Sequence, residues 1–140
     1  MDSSARSLED LVSAFRSATL PRDEWTHAAH LRVGVWHVLT FGEAALEELR
    51  AAIRRLNEAH GTPNTDTSGY HETITWLFVR LITHLRDQHP PDISAARLAD
   101  LAVELLSDRS MPGRYYSPAR LASSEARGRV VAPDRDPLPG

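Results

Sequence analysis

Thr26-His27-Ala28-Ala29-His30-Leu31-Arg32-Val33-Gly34-Val35-Trp36-His37-Val38-Leu39-Thr40-Phe41-Gly42 is the stretch on which the fold turns. Thr26 is suited to cap a helix, because its hydroxyl can accept from a backbone N–H left free in the first turn. Gly42 is suited to end one, since glycine tolerates the backbone that closes a helix C-terminus. Between them lie fifteen residues with no proline and one glycine, so a helix is predicted over 27–41. His27 and His30 are three apart and share a face. His37 follows His30 by two turns, which places all three imidazoles in one sector. Gly34 continues that line. A glycine inside a helix costs about 1 kcal/mol relative to alanine, so this one implies close approach of a neighbouring helix or a ligand.

Outward from this stretch the helical period repeats. Leu8, Leu11, Val12 and Phe15 stand behind a Ser7…Asp10 capping pattern and predict a first helix ending near Ser17. Pro21 separates it from the second. A third is expected from Glu43 to about His60, burying Leu46, Leu49, Ala52, Ile53 and Leu56 and stopping at Gly61. The Gly61–Gly69 segment, rich in Thr, Asn and Ser, reads as a turn-rich loop and a candidate lid. The fourth helix is expected from Tyr70 to about Gln88 on a stripe of Ile74, Leu77, Phe78, Leu81 and Leu85. Pro90-Pro91 ends it. Ser94 opens a fifth with Leu98, Leu101, Ala102 and Leu105. Ser117-Pro118 signals one short helix over 118–124, and 132–140 reads as an extended tail. No repeat, linker or strand pattern interrupts this. The expectation is all-α: one domain over 1–140, a compact bundle of about five helices plus the short C-terminal helix and tail.

Composition narrows the chemistry. The chain has 140 residues, 41% hydrophobic and 25% charged, with net charge −3, enough for a core that needs no staple. It lacks cysteine, which excludes thiolate metal sites, cysteine nucleophiles and disulfides. All 16 basic residues are arginine, which removes Schiff-base and P-loop lysine chemistry. No Gly-rich phosphate motif is present, so no nucleotide cofactor is expected, and no serine sits in a nucleophile elbow. Arginines interleaved with acids, as in Glu47-Glu48-Leu49-Arg50 and Arg54…Glu58, read as solvated faces and give no support to nucleic-acid binding. Met1–Arg6 leads into an amphipathic stretch and no apolar run reaches membrane-spanning length, so a cytoplasmic protein without membrane contact is expected.

Tyr70-His71-Glu72 then acquires weight. In the expected fourth helix His71 shares a face with Ile74, Thr75 and Phe78 and points inward, while Glu72 sits where the helix dipole favours a carboxylate. His27, His30, His71 and Glu72 are the candidate metal ligands between the second and fourth helices. A site of three imidazoles and a carboxylate suits Zn, Fe, Cu, Mn or Ni. His71 and Glu72 are the candidate catalytic pair, Glu72 as ligand or general base. Tyr70, Arg114 and Tyr116 are candidate substrate contacts, Arg114 because its fork can hold a carboxylate or phosphate. The leading expectation is a small metal-dependent enzyme acting on a small organic molecule. One alternative is a metal-free isomerase, cyclase or dehydratase using His71 and Glu72. The other is a non-catalytic ligand-binding or partner protein with structural histidines, the ordinary reading of each of His30 and His37 taken singly. His60, His84 and His89 fall near helix C-terminal ends and carry no assigned chemistry.

Trp25-Thr26-His27-Ala28-Ala29-His30-Leu31, His60-Gly61-Thr62-Pro63-Asn64-Thr65 and Ser68-Gly69-Tyr70-His71-Glu72-Thr73-Ile74-Thr75 resemble motifs of a family of small bacterial helical proteins. Tyr115-Tyr116-Ser117-Pro118…Arg120-Leu121 and Pro133…Pro137-Leu138-Pro139 share the resemblance. It implies that these motifs and the C-terminal segment form one unit, and it carries no reaction to any residue.

Overall fold

The computed structural model describes residues 6–139, and within them every regular element is helical. The principal helices are α1 (Leu8–Arg16), α2 (His27–Phe41), α3 (Ala45–Ala59), α4 (Glu72–Asp87) and α5 (Ala95–Leu106). Three short ones follow: α6 (Met111–Tyr115), α7 (Pro118–Ala122) and α8 (Ser124–Gly128). Single 3₁₀ turns precede α2 and α3. Where one short C-terminal helix is expected, the chain instead breaks at Ser123, whose hydroxyl caps a new helix by accepting from Ala126 N at 3.1 Å. Short α6 is a further addition to the expected helices, with Pro112 in its first turn, where a missing N–H costs no helical bond. No helix among the described residues is long and apolar enough to cross a membrane.

Side-chain caps set most of the starts. Ser7 accepts from Asp10 N at 3.1 Å, Thr26 from Ala29 N at 3.2 Å and Ser94 from Arg97 N at 3.1 Å. Gly42 ends α2 with φ +55°, a left-handed φ that favours glycine. Helix α2 is the centre of the bundle and touches α1, α3, α4 and α5. Ala29, Leu31, Val33, Val35 and Val38 on it are all buried, as expected of a helix apolar around its circumference. Gly34 faces α4: a Cβ there would lie 2.9 Å from Ile82 Cδ1.

The C-terminal segment is stitched across α4. The Thr73 hydroxyl donates to the Arg129 carbonyl at 2.8 Å and accepts from Val131 N at 3.2 Å. Fully buried Tyr116 donates to the Val131 carbonyl at 2.7 Å. Asp134 accepts from the backbone N–H and hydroxyl of Ser117 at 2.7 and 2.6 Å. Residues 130–139 have no regular structure, yet these bonds give their backbone defined places.

Candidate functional site

The sequence-derived candidates divide between two places. Helix α4 begins at Glu72, two residues later than its pattern suggests, and His71 is its N-cap with extended backbone, φ −128° and ψ 109°. This difference redirects His71. Its Nδ1 accepts from Ile74 N at 3.1 Å and its Nε2–H donates to the Leu121 carbonyl at 2.7 Å. Both ring nitrogens are thereby occupied, and the ring faces the C-terminal segment instead of α2. Desolvation lowers its pKa, with Arg127 adding to the effect and the Leu121 carbonyl opposing it. The expectation that His71 converges with His27 and His30 is therefore corrected: a residue outside the helical register cannot keep the helical face that the spacing assigns it.

Glu72 is likewise engaged elsewhere. Arg50 clasps it in two bonds, Nε to Oε1 at 3.0 Å and Nη2 to Oε2 at 2.6 Å, and the Tyr70 hydroxyl donates to Oε1 at 2.5 Å. Desolvation, the largest single influence on Glu72, opposes ionisation. The hydrogen bonds from Arg50 and Tyr70 together overcome it, and the pKa falls below the ordinary carboxylate range. A carboxylate so stabilised is a poor general base. Burial and the Glu72 bond push the Tyr70 phenol upward, so it stays protonated. Arg50, expected to be a solvated helix-face charge, has this long-range partner instead. The three residues border a polar cavity of about 200 Å³ with Arg54, Asn64 and Arg127. Arg127 donates to the Gly69 and Tyr70 carbonyls at 2.8 and 3.4 Å, which pins the loop.

Of the expected substrate contacts, Tyr70 lines that polar cavity, while Tyr116 and Arg114 border neither cavity described here. Tyr116 is a buried strut. Arg114 is exposed beside Asp136, Nε to Oδ2 3.7 Å. The Gly61–Gly69 loop is tied to its flanks through Asn64. The Asn64 side chain accepts at Oδ1 from Asn57 and from Tyr70 N, both at 3.0 Å, and donates from Nδ2 to the Arg54 carbonyl at 3.1 Å.

His27 and His30 remain together. Both line a crevice of about 470 Å³ between α2, α3 and α4, closed at one side by the α5–α6 connection. Leu31, Ile53, Ile74, Phe78 and Val79 make most of its wall. His30 stacks on Trp25 with ring centroids 3.6 Å apart, and Trp25 stacks on Phe15 at 4.9 Å. His27 meets Phe78 edge to face at 5.6 Å. The His30 Nδ1–H donates to the Thr26 carbonyl at 2.7 Å. A carbonyl only accepts, so this bond fixes the tautomer and leaves the Nε2 lone pair unused. Desolvation by the surrounding protein lowers the His30 pKa to about 4, with the nearby His27 adding to it and the Thr26 bond opposing it. His30 is nevertheless an exposed residue, and solvent there offsets some of that desolvation. At neutral pH the ring is uncharged. His27 Nε2 is buried without a hydrogen-bond partner, a state that costs about 1–3 kcal/mol.

His37, in line with them on α2, is fully buried and structural. Its Nδ1–H donates to the Val33 carbonyl at 2.8 Å and its Nε2 accepts from Arg16 at 3.0 Å. Among the described residues no three His, Asp or Glu side chains stand together as a metal-binding group. Two residues of the crevice have no place in the expected site, Trp25 as a ring partner of His30 and Arg109 at the α5–α6 connection, whereas Ile53 and Thr75 line it from the faces expected to point inward. Trp25, directly before the Thr26 cap, carried the one local signal. Arg109 had none, since its place depends on how α5 docks. Compared with known protein families, curated proteins and solved structures, the chain has no match.

Proposed function

We propose that the protein binds a small, largely apolar organic molecule in the crevice between α2, α3 and α4, with His30 as its hydrogen-bond acceptor. The observation that carries this reading is a cavity of about 470 Å³ with a mainly apolar wall and an imidazole whose Nε2 has no hydrogen-bond partner among the described residues. Ligand sites have this character: a concave apolar body with few polar groups. A neutral ring favours a ligand hydroxyl or amide over an anion at that end. The unpartnered Nε2 of His27 gives a second point at which a ligand group would relieve a standing cost.

Octanol, neutral and apolar with one hydroxyl, tests the reading. NMR titration should shift the Trp25, His30 and Phe78 resonances with saturation, and Ile53→Trp, which fills the wall, should abolish the shifts. Resonances that stay fixed up to the solubility limit of octanol would remove the proposal.

A second reading retains a metal at His27 and His30 alone, the enzyme then acting on the molecule held beside it. One observation favours it: the Nδ1–H of His30 donates to a carbonyl, the orientation a metal-bound imidazole ordinarily has. Two protein ligands are fewer than the three usual in catalytic zinc sites. Protein purified without a histidine tag should contain stoichiometric metal that is lost in both His27→Ala and His30→Ala; a metal-free preparation that takes up no added zinc refutes this reading.

A further inference from the structure

The charge pattern of the crevice specifies its occupant further, on the premise that the crevice is a ligand site. Among the described residues its wall includes no Asp or Glu. His30 is neutral there at pH 7, for the reasons already given. Arg109 borders the cavity from the α5–α6 connection, is exposed, and forms no ion pair among the described residues. Several other arginines do pair: Arg16 with Glu48, Arg50 with Glu72 and Arg129 with Glu125. The carboxylate next in sequence to Arg109 is turned to another task, since Asp108 Oδ1 accepts from the backbone N–H and hydroxyl of Ser110 at 2.9 and 2.8 Å. An exposed arginine with no ion pair among the described residues therefore borders a mainly apolar cavity.

We propose that the ligand is an amphipathic organic acid, its hydrocarbon body against Leu31, Ile53, Phe78 and Val79 and its carboxylate on Arg109. The guanidinium fork matches a carboxylate in two parallel bonds. Burying the body supplies most of the affinity, while the charge pair supplies selection of acids over neutral analogues and responds to salt.

Octanoate and octanol share a chain length and differ at the head group, which separates the two contributions. By titration calorimetry at pH 7.5 and low salt, octanoate should bind at least about tenfold tighter than octanol, a step of about 1.4 kcal/mol. The preference should shrink at high salt. Arg109→Gln, a change at an exposed position, should remove it. Equal affinity for the two ligands in the parent protein overturns the acid assignment and leaves the crevice reading intact. A preference that survives Arg109→Gln, or octanoate binding that survives Ile53→Trp, also overturns it. Binding of neither ligand overturns the crevice reading and this inference together.

Discussion

His71 illustrates how a single imidazole is assigned by its partners. As the cap of α4 and a donor to Leu121, it joins two parts of the chain. His71→Ala should lower stability by about 1–3 kcal/mol, the range for a lost cap and an orphaned half-buried carbonyl. His71→Asn, which keeps a capping side chain, should recover part of it, and octanol affinity should not change in either variant. Denaturant unfolding beside calorimetry checks this; lost binding at unchanged stability would return His71 to the functional site. His37 governs an acid response. Desolvation, aided by Arg16 and opposed by the Val33 carbonyl and Glu48, lowers its pKa to about 4. The folded state thus holds the neutral ring, whereas the unfolded chain protonates near 6.5. The stabilisation is complete above about pH 6.5 and fades as pH falls towards 4, a contribution of the order of 3 kcal/mol. NMR titration should find His37 unprotonated above pH 5 while unfolding free energy declines over that window. A His37 titration near 6.5 in the folded protein would contradict it.

At the scale of elements, two glycines test different ideas. Gly69 has φ +79°, and a Cβ there would lie 2.5 Å from the Pro63 carbonyl oxygen and 2.9 Å from Asn64 Cα. Backbone cannot yield cheaply, so Gly69→Ala should cost at least about 2 kcal/mol from the left-handed conformation and the clash together. An unchanged melting temperature with altered binding would revive the lid expectation. Gly34 faces only the flexible end of Ile82. For Gly34→Ala the helical gain of about 1 kcal/mol offsets the adjustment, so stability should change by less than about 1 kcal/mol. Because Gly34 and Ile82 both line the crevice, the added methyl should weaken octanol binding several-fold. Unaltered affinity would place the ligand elsewhere.

For the molecule as a whole, the C-terminal segment is part of the fold. Val131 is buried, and its backbone satisfies Tyr116 and Thr73. A chain ending at Arg129 should lose the burial of Val131 and leave the Tyr116 hydroxyl unsatisfied, together about 3–5 kcal/mol. The chemical-denaturation midpoint should fall accordingly. A midpoint equal to that of the full chain would show that these bonds contribute nothing net. Acid should weaken the same assembly through Glu72. Its depressed pKa means that the Arg50 clasp stabilises fully above the unfolded carboxylate value, about 4.3, and is lost as pH falls through the folded one.

What the amino-acid order determined alone is what depends on neighbours within a turn or two. The bounds of α2 follow from Thr26 and Gly42, the starts of α1 and α5 from Ser7 and Ser94, and the apolar stripes from the helical period. The pairing of His27 with His30 on one cavity wall is local in the same sense, because they stand three positions apart on one helix. Tertiary structure decided the rest. Glu72 pairs with Arg50 across 22 positions and His71 with Leu121 across 50, and Arg109 reaches the crevice only because α5 docks on α2. The His71 tautomer followed from that contact, its proton on Nε2 for Leu121, whereas His30 keeps its proton on Nδ1 for the Thr26 carbonyl only one turn away. The physical reason is that spacing specifies which residues share a face of one helix. Which polar groups lose water together, and so must satisfy one another, is set when separate helices meet.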